Sequence, residues 1–406
     1  MITTRLRTVI TNVEAIPEEP KQGKLKLTLL LVSSLTIMSV ITISPALPQM
    51  AAAFSGVKNA ALLVKLVLTI PALMIAVCSP FAGRLIDRHG RLKILRLSLL
   101  LYALAGTSGF YLDNLYAILI SRAVLGIAVG MSMTIVITLI ADYFDGLERQ
   151  RFVGIQIAFM SLGGIVFIGL GGVLADIGWR YPFLIYLFSL AVLPLTVLYL
   201  HEPPVTVKTD GATQRVKAPS LLWMLFINIM LMWIIFFIIP VQVPFYFKAI
   251  GIVKNSIIGA AIAISTAASA ISSFFYSKIR TYLGFLSVYA MGYLLMAAGF
   301  SCVAVANTYM MVVAAMALAG FGMGMMIPNT NMWVMKITPP AIRGKEIGKL
   351  TTFWFLGQFL SPVVVFPLLK HFSLASTFMM AAGFLLLLSA IFLILHFTRE
   401  SKLSAQ

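Results

Sequence analysis

The chain has 406 residues, of which 60% are hydrophobic and only 11% are charged, and its formal net charge is +17. Soluble proteins average about 45–50% apolar and about 25% charged residues, so a water-soluble fold could not bury this much apolar surface. The basic residues lie in short loops between apolar runs and form no stripe on a polar domain, which argues against nucleic-acid binding. The composition favours an integral membrane protein.

Twelve apolar runs are long enough to cross a bilayer, which takes about 20 helical residues. They lack the polar residue at every second position that a membrane β-barrel strand would show. The sequence therefore predicts an all-α membrane protein with twelve transmembrane helices. The predicted spans are 27–48, 60–82, 94–112, 115–142, 153–175, 182–200, 222–247, 255–276, 285–305, 309–335, 347–369 and 374–397.

The loop charges predict the orientation of the chain in the membrane. Most of the 30 lysines and arginines lie on one side when the N-terminus is placed inside. Because positively charged loops stay in the cytoplasm, we expect both termini there. Residues 1–25 and 399–406 are then cytoplasmic tails, and 201–219 is a polar cytoplasmic linker.

A constant offset of 194 residues relates the two halves of the chain. The basic segment Gly83–Arg91 returns in degraded form as Ser277–Phe285. Other matched positions are Gly126 with Gly320, Gly130 with Gly324, Arg149 with Arg343, Gly154 with Gly348, and Gly163 with Gly357. The repeat predicts two pseudo-symmetric six-helix bundles, residues 26–200 and 220–398. Parallel halves of this kind are typical of one class of transporter.

The loop after the second span carries a recognisable motif. Its residues are Gly83, Asp87, Arg88, Gly90 and Arg91. Gly83 is expected to let two helices approach closely, Gly90 to allow a tight turn, and Asp87 to face the positive end of a neighbouring helix. On these residues the chain resembles the major facilitator superfamily. The resemblance implies that Asp87 contacts span 11 and stabilises one conformational state. Thr281 replaces this acid in the second copy.

Two cations lie within predicted spans. Arg122 is in span 4, where an arginine costs about 2.5–3.5 kcal/mol to insert at mid-membrane, so we expect it to face a polar cavity. The family motif R-x-x-Q-G keeps Arg122 and Gly126 and loses the glutamine, and the resemblance implies a role in substrate or proton handling. A structural or interface-seeking arginine is the alternative. Lys65 either faces the cavity or reaches the outer membrane interface.

No acidic residue lies in the middle of a predicted span. A cavity whose only charges are positive favours an anionic or zwitterionic solute, because Coulomb attraction is strong in a low dielectric. Polar side chains that could orient a solute, or equally bond a neighbouring helix, are Gln156, Asn228, Gln242, Asn329, Asn331 and Gln358. The antiporter motif of drug exporters is half present in span 5, where Phe167 and Ile168 replace its Gly-Pro pair.

These features favour a secondary transporter that exports a small organic solute by alternating access. The solute is drug-like or an anionic metabolite or siderophore, and proton coupling is implied by the family. An importer, facilitator or exchanger of a small anionic metabolite is the alternative. A membrane enzyme would need paired carboxylates, a metal cluster or an activated nucleophile, and the chain shows none. We expect a monomer in the bacterial cytoplasmic membrane, without cofactor, metal or nucleic acid.

Overall fold

The computed structural model describes residues 19–203 and 217–404, without the side chains of residues 19–21, 80, 84, 87 and 399–404. Within these residues it contains twelve helices long and apolar enough to cross a membrane, and no β-strand, which confirms the predicted fold class. Spans 1 to 12 are, in order, Glu19–Ile41 with Leu47–Ala53, Ala60–His89, Arg91–Tyr111, Leu115–Tyr143, Gly146–Ile177, Tyr181–Leu187 with Phe188–Tyr199, Leu221–Phe236 with Ile238–Ala249, Asn255–Phe274, Phe285–Val305, Tyr309–Ile337, Arg343–His371 and Leu374–Ser404.

Several helices run further than the apolar pattern predicts. Span 1 begins at Glu19, inside the segment expected to be a tail, and span 11 begins at Arg343, four residues before its predicted start. The apolar pattern marks only the part of a helix within the hydrocarbon core, so polar turns at its ends escape it. Residues 1–18 and 204–216 lie outside the described residues, and the tail and linker assignments stay predictions.

Proline interrupts the helices that line the contact between the two bundles. Span 1 breaks between Ile41 and Leu47, where Pro45 occupies the break, and span 7 breaks at Phe237, shortly before Pro240. Proline removes one helical hydrogen bond and clashes with the preceding turn. The two breaks face each other, because the Ser44 hydroxyl donates to the Pro240 carbonyl.

The internal repeat is visible in the packing of spans 2 and 4 and of spans 8 and 10. A Cβ added to Gly126 would lie 2.5 Å from the Pro71 carbonyl oxygen, and one added to Gly320 would lie 2.2 Å from that of Ser265. Pro71 and Ser265 are themselves 194 residues apart. The same relation joins Gly130 over Ile75 to Gly324 over Ser269. The matched glycines therefore make equivalent helix contacts in both bundles.

We expect Gly324→Ala to destabilise the second bundle. The new Cβ would lie 2.0 Å from the Ser269 carbonyl oxygen, so spans 8 and 10 must separate. Overpacking of this kind costs about 1–3 kcal/mol. Thermal unfolding in detergent should show a lower midpoint than for Gly383→Ala, whose Cβ would meet nothing within 4 Å. Equal midpoints for the two variants would contradict the close packing.

The two bundles touch mainly at one end. We call the end that contains Gly90 and His201 the linker end, and the end that contains Asp176 and Asn255 the far end. Among the described residues, every hydrogen bond between the bundles lies at the far end. At the linker end, Cβ atoms added to Gly154 or Gly348 would meet nothing within 4 Å. The structure is therefore a state in which the far end is closed.

Candidate functional site

Arg122 lies in span 4, seven residues after the helix begins, and its side chain is 0% exposed. Its Nε donates to the Val67 carbonyl at 3.2 Å, and its Nη2 donates to the Ser39 carbonyl at 2.8 Å and to the Tyr186 hydroxyl at 2.7 Å. The guanidinium thus ties spans 1, 2, 4 and 6 together. It points into the first bundle and not into lipid.

Aromatic rings surround the Arg122 guanidinium. Its central carbon lies 4.6 Å from the ring centre of Tyr186 and 5.6 Å from that of Phe183, distances at which a cation is attracted to an aromatic face. Tyr102 packs against Tyr186 and donates to the Leu35 carbonyl at 2.8 Å. No described carboxylate pairs with Arg122, and its Nη1 has no hydrogen-bond partner. The bundle therefore holds an unneutralised positive charge.

Lys65 lies on span 2 and is only 5% exposed. Its Nζ lies 4.8 Å from the ring centre of Phe245, which belongs to span 7 in the other bundle. The side chain therefore lies at the contact between the bundles and does not extend to the membrane interface. Near it in sequence, Thr69 is fully buried and its hydroxyl has no partner.

The predicted amide side chains divide into two groups. Three of them bond neighbouring helices: Gln156 donates to Ser33, Asn228 accepts from Tyr293, and Asn329 accepts from Tyr276 and donates to the Phe285 carbonyl. Gln242 and Gln358 are buried with unpartnered amide atoms, and Asn331 is partly exposed. The first group makes the bonds to neighbouring helices that sequence analysis left open, although the amide nitrogen of Asn228 has no partner. Gln242 and Gln358 also have buried polar atoms free for a solute.

The motif after span 2 forms a charged cluster at the linker end. Gly90 has a φ of +86°, as its predicted turn requires, and Arg91 pairs with Asp142 at 3.0 Å. The Glu202 carboxylate accepts the backbone N–H groups of Arg91 and Leu92, at 2.6 and 2.9 Å, where span 3 begins. This acid neutralises the positive end of a helix and fixes the start of the linker to the motif.

The other three motif residues are Gly83, Asp87 and Arg88. The side chain of Asp87 lies outside the described residues, so its contact with span 11 stays a prediction, and Arg88 is exposed. Among the described atoms, a Cβ added to Gly83 would meet nothing within 4 Å in this conformation. The close helix approach expected at Gly83 therefore stays a prediction.

The second copy of the motif has lost its ion pair. Phe285 and Lys336 occupy the positions 194 residues after Arg91 and Asp142. Lys336 lies over the Phe285 ring, with its Nζ 5.7 Å from the ring centre, and Arg280 lies over the same ring at 3.9 Å. Cation–π contacts therefore replace the ion pair in the second bundle.

Asp176 closes the far end. Its carboxylate accepts the backbone N–H groups of Asn255 and Ser256, at 2.6 and 3.2 Å, at the start of span 8. One turn earlier, a Cβ added to Gly172 would lie 2.7 Å from the Asn255 carbonyl oxygen, so the two backbones touch. A cavity of about 440 Å³ adjoins this contact, and Gln49 is among its lining residues.

Three contacts of the site were not predicted from the sequence. They are made by the carboxylates of Glu202 and Asp176 and by the hydroxyl of Tyr186. Nothing in the pattern distinguished Tyr186 from other aromatic residues of span 6, nor Glu202 and Asp176 from ordinary loop acids. It also placed Glu346 before span 11. The helix begins at Arg343, and Glu346 is 2% exposed with both oxygens accepting from Lys349, at 2.9 and 3.1 Å. Glu346 is the one buried carboxylate among the described side chains.

The model of the Major Facilitator Superfamily matches residues 29–253 and 253–406. The chain belongs to the major facilitator superfamily. This membership confirms the resemblance inferred from the sequence, and it makes the chain a multi-pass membrane transporter and not an enzyme.

Curated relatives of this superfamily member include drug-resistance proteins. The quinolone resistance protein NorA of Staphylococcus aureus (strain COL) is 24% identical over 304 residues, which is 72% of this chain and 77% of NorA. Multidrug resistance protein 2 of Bacillus subtilis (strain 168) is 35% identical over 107 residues, 26% of this chain and 27% of the relative.

Solved structures share the fold of this superfamily member. A D-xylose-proton symporter has a TM-score of 0.77 at 18% identity, and the match covers 91% of this chain and 97% of the symporter. A bacterial homologue of the human lysosomal transporter Spinster, inward-facing and occupied, has a TM-score of 0.76 at 15% identity, with 93% and 97% covered. At these identities the likeness shows the fold alone.

Proposed function

We propose that this protein exports a small organic solute from the bacterial cytoplasm by alternating access, driven by the proton gradient. The observation that carries the proposal is the junction between the bundles, which are hydrogen-bonded at the far end and separate at the linker end. In alternating access, two bundles rock about a site between them. The names of the drug-resistance relatives support export.

The orientation follows from the loop charges. The linker end carries most of the basic residues, and basic loops remain cytoplasmic. We propose that both termini are cytoplasmic, that the protein acts as a monomer, and that the state described above is open to the cytoplasm. Arg122 and Lys65 make the interior of the first bundle positive, so we propose a solute that carries an anionic group.

Transport into membrane vesicles tests direction and energy source. Inside-out vesicles with the purified protein should accumulate norfloxacin, a quinolone with a carboxylate and an amine, when a proton gradient is imposed. A protonophore should abolish this accumulation. Accumulation only in right-side-out vesicles would contradict export.

Import or exchange of a small anionic metabolite is the second candidate. The absence of a described acid beside Arg122 and Lys65 favours it, because cationic drugs would be repelled from such an interior. Uptake of benzoate into right-side-out vesicles, without uptake of norfloxacin into inside-out ones, would replace the first candidate with this one.

We expect Glu346→Gln to uncouple transport from the proton gradient. Glu346 is buried beside the linker end, and glutamine keeps its shape while it removes the group that could carry a proton. Gradient-driven transport should fall about tenfold or more, as for loss of a positioned proton-transfer group. Exchange of labelled for unlabelled norfloxacin, which needs no gradient, should be preserved. Exposed Glu148→Gln is the control, and equal loss of both activities would argue against coupling at Glu346.

A further inference from the structure

A buried lysine at the contact between the bundles has no anionic partner. Lys65 is 5% exposed, and no described carboxylate or hydrogen-bond acceptor pairs with it. Its neighbour across the interface is the ring of Phe245, whose centre lies 4.8 Å from Nζ. Buried charges in proteins are normally paired, so this ammonium group has capacity for an anion.

Two polar side chains near Lys65 are also buried and unpartnered. Thr69 lies one turn after Lys65 on span 2, on the same helix face, and its hydroxyl makes no hydrogen bond. Gln242 lies one turn before Phe245 on span 7, is 1% exposed, and has neither amide atom partnered. The contact of Lys65 with Phe245 places the Lys65 ammonium group against span 7, one helical turn along that helix from Gln242.

The three groups together could supply the hydrogen-bond donors that a carboxylate needs. The ammonium group, the threonine hydroxyl and the Gln242 amide nitrogen can all donate hydrogen bonds, and a carboxylate accepts about four. Buried polar groups without partners are rare in folded proteins, and two such side chains on the helix turns next to one unpaired cation indicate a missing ligand. Arg122 adds to the positive field, since its Nε contacts the carbonyl of Val67, two residues after Lys65.

We propose that Lys65, Thr69 and Gln242 form the binding site for the carboxylate of the transported solute, with Phe245 packed against the solute's apolar part. The proposal rests on the proposed transport function, because the site includes residues of both bundles. When the bundles separate at the far end, Lys65 and Gln242 move apart, so the carboxylate loses part of its binding site and can leave.

Thermal unfolding of the purified protein with benzoate tests this site without requiring transport. Benzoate is a small aromatic carboxylate, and benzamide is its neutral counterpart. A ligand that binds only the folded state raises the unfolding midpoint. Benzoate should raise it for the natural protein and for exposed Lys58→Gln, and benzamide should not. Lys65→Gln should lose the benzoate effect, and Lys65→Arg should keep part of it.

Several results would overturn the proposal. Benzoate and benzamide could act equally on the natural protein, or Lys65→Gln could keep the benzoate effect. If Lys65→Gln does not fold, Gln242→Leu and Thr69→Val should each weaken benzoate binding about fivefold or more, as expected for a lost hydrogen bond to a charged group. Stabilisation by chloride without stabilisation by benzoate would identify an inorganic anion site instead. If the protein binds benzoate but transports nothing in vesicles, the proposed function is refuted, while the proposed carboxylate-binding site is supported.

Discussion

Replacing Arg122 with alanine is expected to abolish transport of norfloxacin in vesicles. The substitution removes three hydrogen bonds that join spans 1, 2 and 6 to span 4, and it removes the cation that Tyr186 and Phe183 surround. A hydrogen bond to a charged group contributes about 1.5–3 kcal/mol. A loss of about 3 kcal/mol corresponds to a rate about a hundredfold lower.

The variant Arg122→Lys tests the hydrogen-bonding geometry of the guanidinium separately from its positive charge. Lysine keeps the positive charge, but its single ammonium cannot reproduce the planar fork that reaches Val67, Ser39 and Tyr186 together. We expect it to be made and inserted normally and to transport about tenfold more slowly. Exposed Arg151→Gln is the matched control and should transport at the natural rate. Full activity of correctly inserted Arg122→Ala would refute a role for the guanidinium.

Gly172→Leu is expected to prevent closure of the far end and to stop transport. Even a Cβ at this position would lie 2.7 Å from the Asn255 carbonyl oxygen and 3.1 Å from the Ser256 Cα. Backbone cannot give way as a flexible side chain can, so spans 5 and 8 must separate. Separation also breaks the two hydrogen bonds of Asp176 to span 8. The protein would be held in the opposite conformation.

Spin labels measure this effect directly. Labels at Lys58 and Val253, both exposed at the far end, are placed in a background with Cys78→Ser and Cys302→Ser. The distance between them should be longer in Gly172→Leu than in the natural protein. Gly169→Leu is the control on the same helix, since a Cβ at Gly169 meets nothing within 4 Å. An unchanged distance in Gly172→Leu would show that the glycine contact does not govern closure.

The sequence was sufficient to predict the architecture. Apolar runs give twelve spans because the bilayer fixes their length, and the 194-residue offset predicts two bundles that the contacts of Gly126 and Gly320 reproduce. Helix ends were less predictable. Glu346 was placed in a loop because charged residues end the apolar pattern, although its helix begins three residues earlier and buries it.

The candidate site was predictable only as a set of residue types. The cost of burying Arg122 and Lys65 marked both, but their partners come from distant parts of the chain: Tyr186 for Arg122 and Phe245 for Lys65. The roles of Gln156, Asn228 and Asn329 depend on which helix lies opposite. Asp176 and Glu202 accept hydrogen bonds from the first residues of helices that are distant in sequence, and no local sequence pattern predicts such a contact.

Two distances, measured together, test the central claim that the bundles alternate about a shared site. One pair of labels is at Lys58 and Val253 at the far end, and the other is at Arg149 and Lys345 at the linker end, all exposed positions. On addition of norfloxacin and a shift of pH, the account predicts that one distance lengthens while the other shortens. Two distances that stay constant, or that change in the same direction, would contradict it.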